Sequence, residues 1–224
     1  VRRSQPISRA TDLGDDGRLI AIGDIHGRLG KLVGLLDQIR PTAADQLVFL
    51  GNYIDRGPDS YEVVERLIAL RRDLPRTVLL RGNHEQLVLD LLADPTASHR
   101  TSWLERDGGA LTVASYRAAG HYLPVHRDFF AGLPHSFTTD RYFFCHAGVR
   151  PGIPLDQQRP ADLLEIREPF LTSRACFGRI VVHGHTVVER PQLLPNRINI
   201  DTRAGDHGPL TAIELPSGRL RQQW

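Results

Sequence analysis

Carboxylate, amide and imidazole side chains gather in five short stretches: Gly23-Asp24-Ile25-His26-Gly27, Gly51-Asn52-Tyr53-Ile54-Asp55-Arg56-Gly57, Arg81-Gly82-Asn83-His84-Glu85, His146-Ala147-Gly148 and His183-Gly184-His185-Thr186. None of them contributes a thiolate. Oxygen and imidazole donors without sulfur suit borderline divalent metals such as Mn, Fe or Zn better than soft clusters. Two such ions about 3.5–4 Å apart can activate a water and clamp both oxygens of an in-line displacement, which is phosphoryl-transfer chemistry. Arg56 follows Asp55 directly, and a guanidinium fork matches phosphate oxygens two at a time.

These residues need a scaffold that ends several strands at one place. Short apolar runs precede the first three stretches, at Leu19 to Ile22, Leu47 to Leu50 and Thr77 to Leu80. Between them lie helical periodicities: Leu32, Val33, Leu35, Leu36 and Ile39, then Tyr61 to Leu70, and a third helix from His84 to Leu92. Alternating strand and helix predicts an α/β fold with a parallel sheet, whose ligand crevice lies outside the carboxyl ends of the strands. Residues 93–122 change character around Trp103, Gly108, Gly109 and the amphipathic stretch Ala110 to Ala118, and are expected to form a helical insertion beside the site. From Ser136 onward strands dominate, at Tyr142 to Cys145, Ile180 to Val182, Ile198 to Ile200 and Leu210 to Leu215, which predicts a second sheet. Residues 1–17 are polar and read as an arm, leaving residues 18–224 as one domain.

Composition narrows the classes. A chain of 224 residues with net charge +2 can bury a large core and gives no electrostatic footprint for a nucleic-acid polymer. Only Cys145 and Cys176 are present, so no disulfide framework is expected, and no apolar run reaches the roughly 18 residues that span a bilayer. The expected location is cytoplasmic.

The ordered motifs GDIHG, GNYIDRG, GNHE, HAG and GHT resemble those of the metallophosphoesterases, and among them the serine/threonine phosphoprotein phosphatase family, which includes bacterial protein phosphatases and diadenosine tetraphosphatases. The resemblance runs from Leu19 to Leu215. It implies a four-layer α-β-β-α sandwich and two divalent metal ions, manganese first, with Fe, Zn, Ni or Co open. It makes Asp24 and His26 ligands of the first metal, Asn83, His146 and His185 ligands of the second, and places position 52 between the two. His84 becomes the general acid and Asp55 the group that holds its imidazole. Arg56 grips the phosphate. For a second arginine, Arg167 in Ile166-Arg167-Glu168-Pro169-Phe170 resembles the family segment, and Arg150 is the competing candidate. His183 falls beside the ligand position rather than on it. Trp103, Asp107, Gly108 and Gly109 either line the crevice or only pack beneath it.

Two positions depart from the family. Asn52 stands where a bridging aspartate is expected, and an amide offers one neutral oxygen where a carboxylate offers charge and acceptors for two metals. Two accounts are open: a deliberate change that traps an inactive complex, favoured by the intact remainder of the constellation, or a natural protein with lost or altered activity. Arg203 stands where relatives tend to have glycine, as a crevice cation or a solvated turn residue. The leading functional expectation is hydrolysis of phosphomonoesters on phosphorylated proteins by a metal-activated water. The alternatives are hydrolysis of a dinucleoside polyphosphate and a non-catalytic phosphate-binding module.

Overall fold

The structure, a computed structural model, describes residues 17–224; the expected N-terminal arm lies outside them up to residue 16. Its first half alternates strand and helix as the periodicities predict: β1 (Leu19–Ile22), α1 (Leu29–Ile39), β2 (Gln46–Phe49), α2 (Ser60–Asp73), β3 (Thr77–Leu79) and α3 (Asn83–Ala93). In α1 the buried residues are Leu32, Leu35, Leu36 and Ile39, a single stripe at helical spacing that faces the sheet. The insertion follows as α4 (Arg100–Glu105), α5 (Gly109–Ala118) and α6 (Arg127–Ala131), so helical structure continues past the expected boundary at residue 122.

The remainder forms β4 (Ser136–Thr138), β5 (Tyr142–Cys145), α7 (Pro160–Glu165), β6 (Ile180–His183), β7 (Gln192–Leu193), β8 (Arg197–Asn199), β9 (Leu210–Leu215) and β10 (Arg219–Gln223). There are two five-stranded sheets, ordered β10-β9-β1-β2-β3 and β4-β5-β6-β8-β7. The expected second sheet forms from β4 to β8, but β9 does not join it. This strand returns to the first sheet, antiparallel to β1 with Leu19 opposite Leu215, and β10 pairs outside it. The first sheet is therefore mixed: the β1–β2 and β2–β3 pairings are parallel, and β9 runs against all of its neighbours. The reason is burial on both faces: Leu210 and Ala212 point to the α1 side, while Ile213 and Leu215 point to the other sheet, so β9 must be an interior strand.

Strand alternation divides the apolar residues into three layers. Ile20, Ile22, Leu47 and Phe49 pack on α1 and α2; Leu19, Ala21, Val48, Phe144, Val182 and Ile213 fill the space between the sheets. Phe143, Cys145 and Val181 pack on Leu163 of α7 and on Phe170. Helices, sheet, sheet and helices make the four-layer α-β-β-α sandwich. Among the described residues no helix is long and apolar enough to cross a membrane.

Candidate metal and phosphate site

Strands of both sheets end on one crevice, and the backbone there takes conformations that ordinary residues avoid. His26, Asn52, Asp55, Arg56 and His185 have φ of 51°, 56°, 69°, 64° and 62°. Positive φ is uncommon for non-glycine residues, and such strain collects where surrounding structure over-determines it. Hydrogen bonds do so here. The amides of Ile25 and His26 donate to Asn52 O at 3.0 and 2.8 Å, and that of Gly27 to Tyr53 O at 2.8 Å, stitching the β1 loop to the β2 loop. Glu85, fully buried in the first turn of α3, accepts the backbone N–H groups of Asn52 at 2.9 Å, Tyr53 at 2.8 Å and Gly82 at 2.9 Å. One carboxylate thereby ties the β2 and β3 loops to a helix terminus, where negative charge is favoured. The sequence reading left Glu85 without a role.

Two imidazoles are oriented as metal ligands would need to be. His26 Nδ1 donates to Ile54 O at 2.9 Å and His146 Nδ1 donates to Leu50 O at 2.9 Å. Burial pushes both rings well below the ordinary histidine pKa, so they are neutral. With Nδ1 carrying the hydrogen, each Nε2 keeps its lone pair. The lone pair of His146 faces Asn83 Oδ1 at 2.8 Å, and that of His26 lies 3.9 Å from Asp24 Oδ2. A neutral ring nitrogen set against an oxygen acceptor is satisfied by a cation, and a backbone carbonyl on the other ring nitrogen is the usual support of a metal-ligating histidine. Asp24 is buried beside Asp201, and burial first, then the charge of Asp201, raises its pKa well above the usual carboxylate value. Two interior carboxylates also call for positive charge. The donor set thus fits divalent metal.

It fits incompletely at one position. Among the described residues, no three His, Cys, Asp or Glu side chains close on a common point, so the amides must complete the set. Asn52 turns its Nδ2 toward Asp24 Oδ2 at 3.0 Å, while its Oδ1 accepts the His84 N–H at 3.2 Å. A donor therefore faces Asp24 where a bridging ligand would present an acceptor.

Beside these candidate ligands sits a buried histidine–carboxylate pair. His84 Nδ1 lies 2.6 Å from Asp55 Oδ2, and its ring meets that of His26 edge to face at 4.7 Å between centroids. Asp55 has no exposed surface and its carboxylate is fully engaged. Oδ2 also accepts Trp103 Nε1 at 2.9 Å, and Oδ1 accepts Thr112 Oγ1 at 2.6 Å. Both donors come from the insertion. Gly108, at φ +89°, lets α5 begin directly against the Arg56 backbone, where a Cβ would collide. The Trp103-x-x-x-Asp107-Gly108-Gly109 run thus braces the Asp55-Arg56 turn. The tryptophan was visible as a signal; Thr112 carried none.

Of the arginines, Arg56 is exposed at the crevice and Arg167 donates through Nη1 to Thr186 Oγ1 at 3.0 Å. Arg167 lies close enough to His185 to add to burial in lowering that ring to about 4. Arg150 is turned elsewhere: its fork is committed to Asp162, with Nε at 3.0 Å from Oδ2 and Nη2 on Oδ1. His183 is buried with Nδ1 donating to Gly184 O at 3.1 Å and its ring against Phe170. Asp201, at the end of β8, was not anticipated.

Residues 17–199 match the family described as calcineurin-like phosphoesterase. The chain belongs to the calcineurin-like phosphoesterase family. Calcineurin-like phosphoesterases use a binuclear divalent metal centre, the arrangement that the Asp24, His26 and His146 geometry suits. Among curated relatives, the bis(5'-nucleosyl)-tetraphosphatase PrpE [asymmetrical] of Bacillus thuringiensis is 28% identical over 231 residues, covering 87% of this chain and 89% of that protein. The "putative serine/threonine-protein phosphatase C27B7.6" of Caenorhabditis elegans is 31% identical over 137 residues, 60% of this chain and 27% of that protein. Two solved structures share the fold. A "putative diadenosine tetraphosphatase" superposes with TM-score 0.73 at 24% identity, covering 98% of this chain and 99% of that one. A cold-active protein-tyrosine phosphatase of Shewanella does so with TM-score 0.63 at 17% identity, covering 99% and 83%.

Proposed function

We propose that this calcineurin-like phosphoesterase hydrolyses a phosphoanhydride of the dinucleoside tetraphosphate type. The observation that carries the phosphoryl-transfer chemistry, without choosing between ester and anhydride, is the His84–Asp55 pair, 2.6 Å apart and set beside the candidate ligand His26. Asp24 and His26 would hold one divalent ion and Asn83, His146 and His185 the other, with Asn52 between them; manganese suits this oxygen and imidazole set. When bound, the metals supply the charge that lowers the pKa of an attacking water.

The chain's own residues do the rest. Arg56 and Arg167 grip the phosphoryl oxygens and hold them for in-line attack. His84 donates a proton from Nε2 to the leaving oxygen, and Asp55 fixes the Nδ1–H tautomer and steadies the ring as its charge changes. Trp103 and Thr112 keep Asp55 in place, and no covalent enzyme intermediate is required.

The substrate class rests on the PrpE relatives, which this chain matches along nearly their whole length. A second reading, a phosphomonoesterase acting on phosphorylated protein, is supported by the Caenorhabditis relative. Rates on diadenosine tetraphosphate and on phosphoserine, phosphothreonine and phosphotyrosine peptides, measured for the chain and for Asn52→Asp, separate the two. A strong preference for the peptides overturns the nucleotide reading. An Asn52→Asp protein that takes up two metals and hydrolyses neither class turns the site into a phosphate-binding module.

A further inference from the structure

The insertion that braces Asp55 also shapes a cavity of about 470 Å³ against α3. Helix α5 explains how. Its buried residues, Gly109, Thr112, Ser115 and Tyr116, form one face, which carries the contacts to Asp55 and to Tyr61 of α2. Ala110, Val113 and Arg117 recur at helical spacing on another face, and that face lines the cavity. Val88 and Leu91 of α3 and Leu104 of α4 supply more of the apolar wall, and the Trp103 indole belongs to it as well. Pockets of roughly 300–1,000 Å³ with apolar walls and a few placed polar groups are the usual form of small-molecule sites. None of the candidate metal ligands, and neither Arg56 nor Arg167, lies in this wall.

The polar groups in the wall are cations. Arg100 opens α4 and Arg117 lies in the last turn of α5, and both side chains line the cavity. The two helices pack together and are joined by the short turn at residues 106–108, so both arginines belong to the helix ends remote from that turn. Both are exposed, and neither guanidinium has a hydrogen bond or ion pair among the described residues. No aspartate or glutamate lines the cavity to answer their charge.

An aliphatic wall with two uncommitted guanidinium groups toward one end is complementary to a molecule with an apolar tail and a single anionic head. We propose that this cavity binds a medium-chain carboxylate, with the chain against Val88, Leu91, Leu104 and Val113 and the carboxylate at Arg100 and Arg117. The site is separate from the metal and phosphate crevice and does not depend on which phosphate compound is hydrolysed there. One side chain is common to both. Trp103 lines the cavity and donates through Nε1 to Asp55 Oδ2 at 2.9 Å, so occupancy is felt at the indole N–H that braces the His84–Asp55 pair.

The test is titration of the isotope-labelled chain with octanoate, octanol and acetate, followed by nuclear magnetic resonance at the Trp103 indole N–H. The other tryptophan, Trp224, is exposed, and Trp224→Phe leaves a single indole signal. Octanoate is expected to move that signal saturably and to bind about tenfold more tightly than octanol, the size of a charge-assisted contact, while acetate leaves the signal in place. Replacing both cations, by Arg100→Gln together with Arg117→Gln, should weaken octanoate about tenfold and keep octanol within about twofold. Both arginines are exposed, so the double variant keeps the fold, which a melting curve verifies. An indole signal that octanoate does not move overturns the proposal. So does octanol binding as tightly as octanoate, which makes the cavity a purely apolar cleft, or a double variant that binds octanoate as well as its parent. A signal that responds to protein concentration and not to octanoate assigns the cavity to a second copy of the chain, and overturns it too.

Discussion

Asn52 Nδ2 donates to Asp24 Oδ2 at 3.0 Å, so a neutral amide holds the buried carboxylate that would otherwise face the first metal. This contact stabilises the metal-free chain. It does so by answering part of a charge that burial and Asp201 make costly.

Asn52→Asp is expected to reverse both consequences. A third carboxylate beside Asp24 and Asp201 lowers the melting temperature in chelator, and divalent metal raises it again. Metal content measured on purified protein should rise to two per molecule, with turnover at least about 100-fold higher. Two metals and full activity in the chain as written would remove the argument that Asn52 impairs it.

His84→Asn, made in the Asn52→Asp background, separates acid catalysis from positioning. Turnover of a phosphoserine peptide should drop by about 10²- to 10⁴-fold, because an alkoxide leaves poorly without a proton. With p-nitrophenyl phosphate, whose leaving group is already stable as an anion, the loss should be much smaller. Equal losses on both substrates exclude His84 as the proton donor.

Trp103→Phe removes the indole N–H from Asp55 Oδ2 and keeps most of the packed ring. Acting through Asp55 and then His84, it should lower kcat about tenfold on the same peptide and leave KM unchanged. Thr112→Val should act mainly on stability, since it removes the hydroxyl donor from Asp55 Oδ1 and leaves the Asp55 backbone N–H with Ser60 Oγ alone; urea unfolding should show a loss of about 1–3 kcal/mol.

The half-buried His135 offers a pH test away from the metal ligands. Burial first, and then the charge of Arg81, pushes its pKa down to about 4, against an unfolded value near 6.5. A lowered histidine binds its proton more readily in the unfolded chain, so its contribution to stability is present above pH 6.5 and is lost as pH falls toward 4. His135→Gln should reduce the stability difference between pH 7 and pH 5 by on the order of 1 kcal/mol, after discounting for the solvent that reaches the ring. Urea midpoints at the two pH values check it, and an unaltered difference contradicts the shift.

Much of the candidate site was legible because its proposed ligands occupy short local motifs. Asp24 and His26, or Asn83 and His84, sit within one turn of chain, so strand-end spacing alone brings them near the crevice. Parts that depend on distant segments were not legible. Thr112 reaches Asp55 across 57 positions, and nothing in its neighbours marks it. Arg150 and Arg167 could not be ranked by sequence, because the ranking depends on Asp162, which occupies the Arg150 fork.

By itself the sequence determined the family chemistry and the layer type: oxygen and imidazole groups at strand ends, an α/β alternation, and an amide at position 52 where the resemblance leads one to expect a carboxylate. Only the tertiary structure decided where β9 goes, that Arg150 is taken up by Asp162, what braces Asp55 and how Asn52 turns its amide. The physical reason is the range of the forces involved. Periodicity and turn chemistry act over a few residues and are written locally, whereas the burial of both faces of β9, the saturation of the Asp55 carboxylate and the direction of the Asn52 amide are set by groups that meet only after the chain has folded.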